Sequence, residues 1–134
     1  MRTTRVGVLV VGLLFVAATG AVSAATLLID DFNRGEKPNA LGGDYGAWNK
    51  DESDPTQKCS NSFDKPNAYG GAGYAIKLDY DVDSPNPAYN GFWMKLQGTN
   101  ASTYRSLVLY VKGDAGRGYT PQIKLELKNG TEVG

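Results

Sequence analysis

Past its first 24 residues the sequence predicts an all-β fold, an antiparallel β-sandwich of the jelly-roll kind. Three observations predict it. Apolar and polar residues alternate with period 2 in run after run, Gly, Pro, Asn or Asp clusters bound each run, and no stretch keeps a helical period. Strands with one wet face, joined by long turn-rich loops, pack as two facing sheets.

The chain opens on a different kind of segment. Arg2 and Arg5 precede the apolar run 6–18, and the small residues Gly20-Ala21-Val22-Ser23-Ala24-Ala25 follow. A charged start, an apolar middle and a small-residue cleavage site predict a secretory signal peptide over 1–24, cut after Ala24 or Ala25. The alternative is a retained membrane anchor, but the apolar run is shorter than the ~20 residues a spanning helix needs. The expected product is a secreted or periplasmic domain over 25–134, with no membrane association once the leader is gone.

The 134 residues carry 14 basic and 14 acidic side chains. Losing Arg2 and Arg5 leaves 12 basic against 14 acidic, a balance that offers neither nucleic acid nor an anionic membrane a basic patch. Cys59 is the single cysteine, so no intrachain disulfide is expected, and a free thiol or a link to another chain remains.

The first strand is expected to end at Asp30 and Asp31, before the turn-rich run DDFNRGEKPNALGGDYGAW. Gly42, Gly43 and Gly46 there let the chain turn tightly, so that Tyr45 and Trp48 can point to opposite environments. Over 74–83, Tyr74, Ile76, Leu78, Tyr80 and Val82 oppose Ala75, Lys77, Asp79, Asp81 and Asp83. Over 91–96, Phe92, Met94 and Leu96 oppose Trp93 and Lys95. Leu107, Leu109 and Val111 oppose Val108, Tyr110 and Lys112, and Ile123, Leu125 and Leu127 oppose Lys124, Glu126 and Lys128. Asn129-Gly130 is a hairpin turn whose returning arm, 131–133, is cut short. The chain therefore reads as a fragment, truncated at its C-terminus, of a longer open reading frame that would add a further segment or a catalytic domain.

Several chemistries find no support. With no histidine in the chain, Ser–His and Cys–His pairs and histidine-bound zinc are excluded. The run 113–120 lacks the lysine of a phosphate loop, and Asp79, Asp81 and Asp83 lack the glycine and final glutamate of an EF-hand. The three aspartates are read as a solvated strand face in preference to a cation site. Nothing marks two acids as facing each other across a cleft, so a glycosidase is not expected.

Aromatic side chains remain, eight tyrosines and two tryptophans. Sugars present flat C–H faces ringed by hydroxyls and are bound by exposed rings with polar neighbours. Trp93 and Tyr110 fall opposite the aliphatic faces of their strands, beside Lys95 and Lys112. Tyr45, Trp48, Tyr69 and Tyr89 lie in glycine-flanked loops. Trp48 is expected to plug the end of the sandwich and Tyr89 to stand on a cleft rim. The candidate carbohydrate-binding set is Tyr45, Trp93 and Tyr110 by strand parity and Tyr89 by its loop.

The order LLIDDFN, NALGGDYGAW, NAYGGAGYAIKLDYDVDSPNPAYNGFWMKL, SLVLYVKGD and IKLELKN resembles a bacterial secreted domain of the galactose-binding-like superfamily. Within it, the sequence is similar to the family-eleven carbohydrate-binding modules and to the complex I intermediate-associated protein domain. The resemblance covers nearly all of 26–134. It implies a polysaccharide or oligosaccharide cleft on the concave sheet, no catalysis, and a structural calcium (Ca2+) with Asp30 and Asp31 as its candidate ligands. The second relative implies an alternative, a protein-interaction or assembly domain.

Overall fold

In the computed structural model of the chain the described residues are 5–14, 25–120 and 122–128, with side chains described for the last two ranges. The remainder of the expected signal peptide, its cut at Ala24 included, and the hairpin at Asn129-Gly130 lie outside the described residues.

The described chain is all-β, with antiparallel pairing throughout. Alternation placed three strands well: β4 (Ala75–Asp81), β5 (Asn90–Met94) and β6 (Val108–Gly113). Three more form where alternation gave no strand. β1 (Arg5–Leu14) lies inside the expected leader, and its valine-rich run suits a central strand. β2 (Tyr45–Asn49) lies in the run expected to be a loop, and β3 (Lys58–Asp64) is polar throughout except for Cys59 and Phe63.

Two expected strands are absent from the sheets. The stretch ending at Asp30 and Asp31 keeps only an isolated bridge at Leu28, and residues 122–128 have no regular structure. No helix among the described residues is long and apolar enough to cross a membrane.

The strands make a four-stranded sheet in the order β3-β4-β1-β6 and a two-stranded ribbon of β2 and β5. The core gathers side chains from both. Ile29, Phe32, Tyr45 and Ile76 are buried, with Phe63, Phe92, Met94, Leu107 and Leu109 packed around them. Phe32 meets Tyr45 edge-on at 5.6 Å between ring centroids, a geometry the aromatic quadrupole favours. Each fully buried ring of this kind stabilises by about 2–3 kcal/mol.

Asn39 explains the NALGG run. Its buried Oδ1 accepts the backbone N–H of Leu41 (3.0 Å) and Gly43 (2.7 Å), while its Nδ2 donates to Lys95 O (2.8 Å). One amide thus closes the loop and ties it to the chain beyond β5. Gly43 is obligatory here, because a Cβ would collide with the Lys95 carbonyl.

Candidate functional site

Gly46 pairs with Trp93 and Trp48 with Gly91 in the ribbon register, so both indoles occupy the face opposite Tyr45. Each indole lies across its partner glycine. Tyr89 meets Trp48 edge-on at 5.7 Å, and Lys50 and Lys95 stand over the Tyr89 and Trp93 rings at 5.6 and 5.7 Å. Tyr45 and Trp48 do take opposite faces, as strand residues and not as loop residues. Trp48 packs on the ribbon's own backbone, which corrects the expectation of a plug at the sandwich end.

The four expected binding residues do not converge. Tyr45 is 0% exposed, so it cannot stack on a ligand and leaves the set. Desolvation pushes its hydroxyl up to about 12, and that hydroxyl donates to Glu36 O at 3.3 Å. Tyr45 is buried because its ring packs against Phe32 and Phe92 in the core, at 5.6 Å from each. Tyr89 and Trp93 belong to the ribbon, whereas Tyr110 stands on β6 in the other sheet.

Tyr110 has a partner that strand parity could not supply. The Tyr69 ring stacks on it with centroids 3.9 Å apart and planes 24° apart. Tyr69 sits in a 3-10 turn, Tyr69–Gly71, where Gly70 and Gly71 have φ of 75° and 76°. These left-handed glycines bend the chain back so that the ring reaches β6. The two tyrosines remain 60% and 38% exposed.

Beside the pair is an open hollow of about 330 Å³ lined by Pro66, Asn67, Ala68, Tyr69, Gly70, Tyr110, Val111 and Lys112. Lys112 Nζ donates to Asn67 Oδ1 at 2.7 Å, and Asn67 Nδ2 donates to Asp64 Oδ2 at 2.6 Å. This chain of charge-assisted bonds holds an amide and an ammonium at the rim. A hydrogen bond with Tyr110 raises the Tyr69 hydroxyl above its usual range. Period-2 parity had set Lys112 beside Tyr110. Asn67 and the stacking role of Tyr69 carried no local signal beyond the NAYGG turn.

The acidic candidates separate as well. Asp30 is buried, with Oδ1 accepting Phe32 N at 2.9 Å and Oδ2 unpartnered. Asp31 is exposed and gives both oxygens to Asn33, at 3.0 and 2.8 Å. A calcium ion needs about six to eight oxygens, and no group of three or more acidic, His or Cys side chains among the described residues could hold a metal. Among the described residues no third such side chain joins Asp30 and Asp31. On β4, Asp79 pairs with Lys77 at 2.9 Å, and Asp81 accepts the backbone N–H of Asp83 at 2.9 Å.

No protein-family model, curated protein or solved structure matches this chain.

Proposed function

We propose that the chain is an exported, non-catalytic carbohydrate-binding module of galactose-binding-like, jelly-roll type. The observation that supports this reading best is the stacked Tyr69–Tyr110 pair, more exposed than a core pair would be and flanked by an amide and an ammonium. A pyranose ring lies with its C–H face on the exposed Tyr69 ring, and its hydroxyls bond Asn67 and Lys112. Stacking on one aromatic ring contributes about 1 kcal/mol, so binding is weak and grows with the number of sugar units in contact.

Affinity electrophoresis through gels containing soluble β-glucans tests the proposal. Retardation of the wild-type chain that disappears in Tyr69→Ala and Tyr110→Ala, with both variants still folded by circular dichroism, supports it. Equal mobility with and without every glycan tried sinks it. If retardation survives both changes but is lost in Tyr89→Ala, the platform is on the ribbon.

A further inference from the structure

β4 and β6 both pair with β1 and are joined only through it. β1 is antiparallel to each, so β4 and β6 run parallel to one another. Without β1 a slot two strand spacings wide, roughly 9.6 Å, separates them, and unpaired N–H and C=O groups line both sides. Only a strand running in the direction of β1 restores that pairing.

The chain after β6 leads to the mouth of this slot. The Tyr119 ring lies against Gly113, at the end of β6. Thr120 N donates to Tyr80 Oη at 2.8 Å, and Arg117 Nη1 is 3.8 Å from Asp79 Oδ1. Tyr80 is the register partner of Arg5, and Gly113 that of Gly7. The segment 117–120 thus touches side chains and backbone at the end of the slot where β1 begins, and a strand continuing from it into the slot would run as β1 runs.

Residues 122–128 have the pattern for it. Ile123, Leu125 and Leu127 are 53%, 59% and 65% exposed, every second residue, with Lys124, Glu126 and Lys128 between them. A row of exposed aliphatic side chains on an unpaired segment is unfavourable in water and marks a surface that awaits a partner.

We infer that, once the leader has been removed, residues 123–128 replace Arg5–Leu14 between β4 and β6. The inference rests on the export reading; it does not need the sugar proposal, although it sets Glu126 opposite Lys112 of that site. One register satisfies the charges. With Ile123 in the place of Arg5, Lys124 falls opposite Asp79, Leu125 between Leu78 and Gly113, Glu126 between Lys77 and Lys112, and Leu127 opposite Val111. A shift of two residues sets Lys124 between the two lysines instead, and like charges directly opposite disfavour it. The leader strand is then a placeholder that keeps β4 and β6 apart until the C-terminal strand takes over. That exchange preserves β6, and with it Tyr110.

The test follows one molecule before and after a cut. The full chain carries a protease site at the expected cleavage point, and backbone amide exchange is read at residues 123–127. The expected result is fast exchange in the uncut chain and at least about ten-fold slower exchange after the cut and release of the leader peptide. Glu126→Lys should abolish that protection in the cut chain and leave the uncut chain unchanged, and Lys77→Glu should restore it. Equal exchange before and after the cut overturns the inference, as does loss of all protected amides in the cut chain. Glycan retardation without protection at 123–127 would retain the function and remove the exchange; protection without retardation would do the reverse.

Discussion

The indole of Trp93 covers the bare backbone of Gly46: a Cβ at Gly46 would stand 3.2 Å from Trp93 Cζ2 and Nε1. The reciprocal pair is tighter, for a Cβ at Gly91 would lie 2.8 Å from Trp48 Nε1. Two tryptophans thus shield the two glycines directly opposite them in a two-stranded ribbon, and the ring area compensates for the β-propensity that glycine lacks.

Gly91→Ala should therefore displace the Trp48 ring and cost about 1–3 kcal/mol, the range for overpacking a filled site. Gly46→Ala should cost less. Urea unfolding followed by tryptophan emission checks both, with a red-shifted native spectrum expected for the Gly91 variant alone.

Asn39→Ala removes three hydrogen bonds at a buried position and leaves the Gly43 N–H and Lys95 O without their partner. The expected loss is about 3 kcal/mol, from ~1–3 kcal/mol per orphaned buried group. Asn39→Asp keeps both accepted bonds and loses the donated one, so its midpoint in urea should fall between the wild-type and alanine values.

Burial raises the Asp30 carboxyl above 3.8, against the lowering effect of the Phe32 N–H. A raised folded pKa means stability that is complete below pH 3.8 and lost as pH rises through the folded value. Each tenfold weakening of a carboxylic acid disfavours its ionised form by about 1.4 kcal/mol. Asp30→Asn keeps an oxygen for Phe32 N and carries no charge. Thermal melts should show the variant gaining on wild type as pH rises from about 4 to neutrality, and a constant difference across that window would disprove the assignment.

Burial pushes the Cys59 thiol from 9.0 up to about 11, although its sulfur contacts Gly91 O at 3.7 Å. The thiolate is the reactive form, so an aromatic disulfide reagent at pH 8 should label native Cys59 at least about ten-fold more slowly than the urea-unfolded chain. The same raised value means stability that is present below pH 9.0 and lost as pH rises through about 11.

How far local pattern carries is clearest from β3 and β4, which pair along seven residues from Lys58↔Asp81 to Asp64↔Ala75. β4 was legible because its aliphatic and charged residues alternate cleanly. β3 was not, because Ser, Asn and Asp have no strand preference of their own; its conformation comes from the neighbour whose backbone it completes. β2 was hidden for another reason: glycine occupies the position where a second large side chain would have revealed the period, and Trp93 from β5 fills that space. The site divides in the same way. Tyr110 and Lys112 share a strand face by parity, but Tyr69 and Asn67 reach them across more than forty residues of chain.

By itself the sequence determined the all-β character, the placement of β4, β5 and β6, and the absence of histidine chemistry. These follow from side-chain alternation and composition, which are local. The tertiary structure alone decided that Tyr45 is core, that Tyr69 stacks on Tyr110, and that Arg5–Leu14 holds the place beside β6 while residues 122–128 stay outside. Strand alternation says which side of a segment seeks cover. Which segment covers it depends on competition between backbones distant in sequence for the same row of hydrogen bonds.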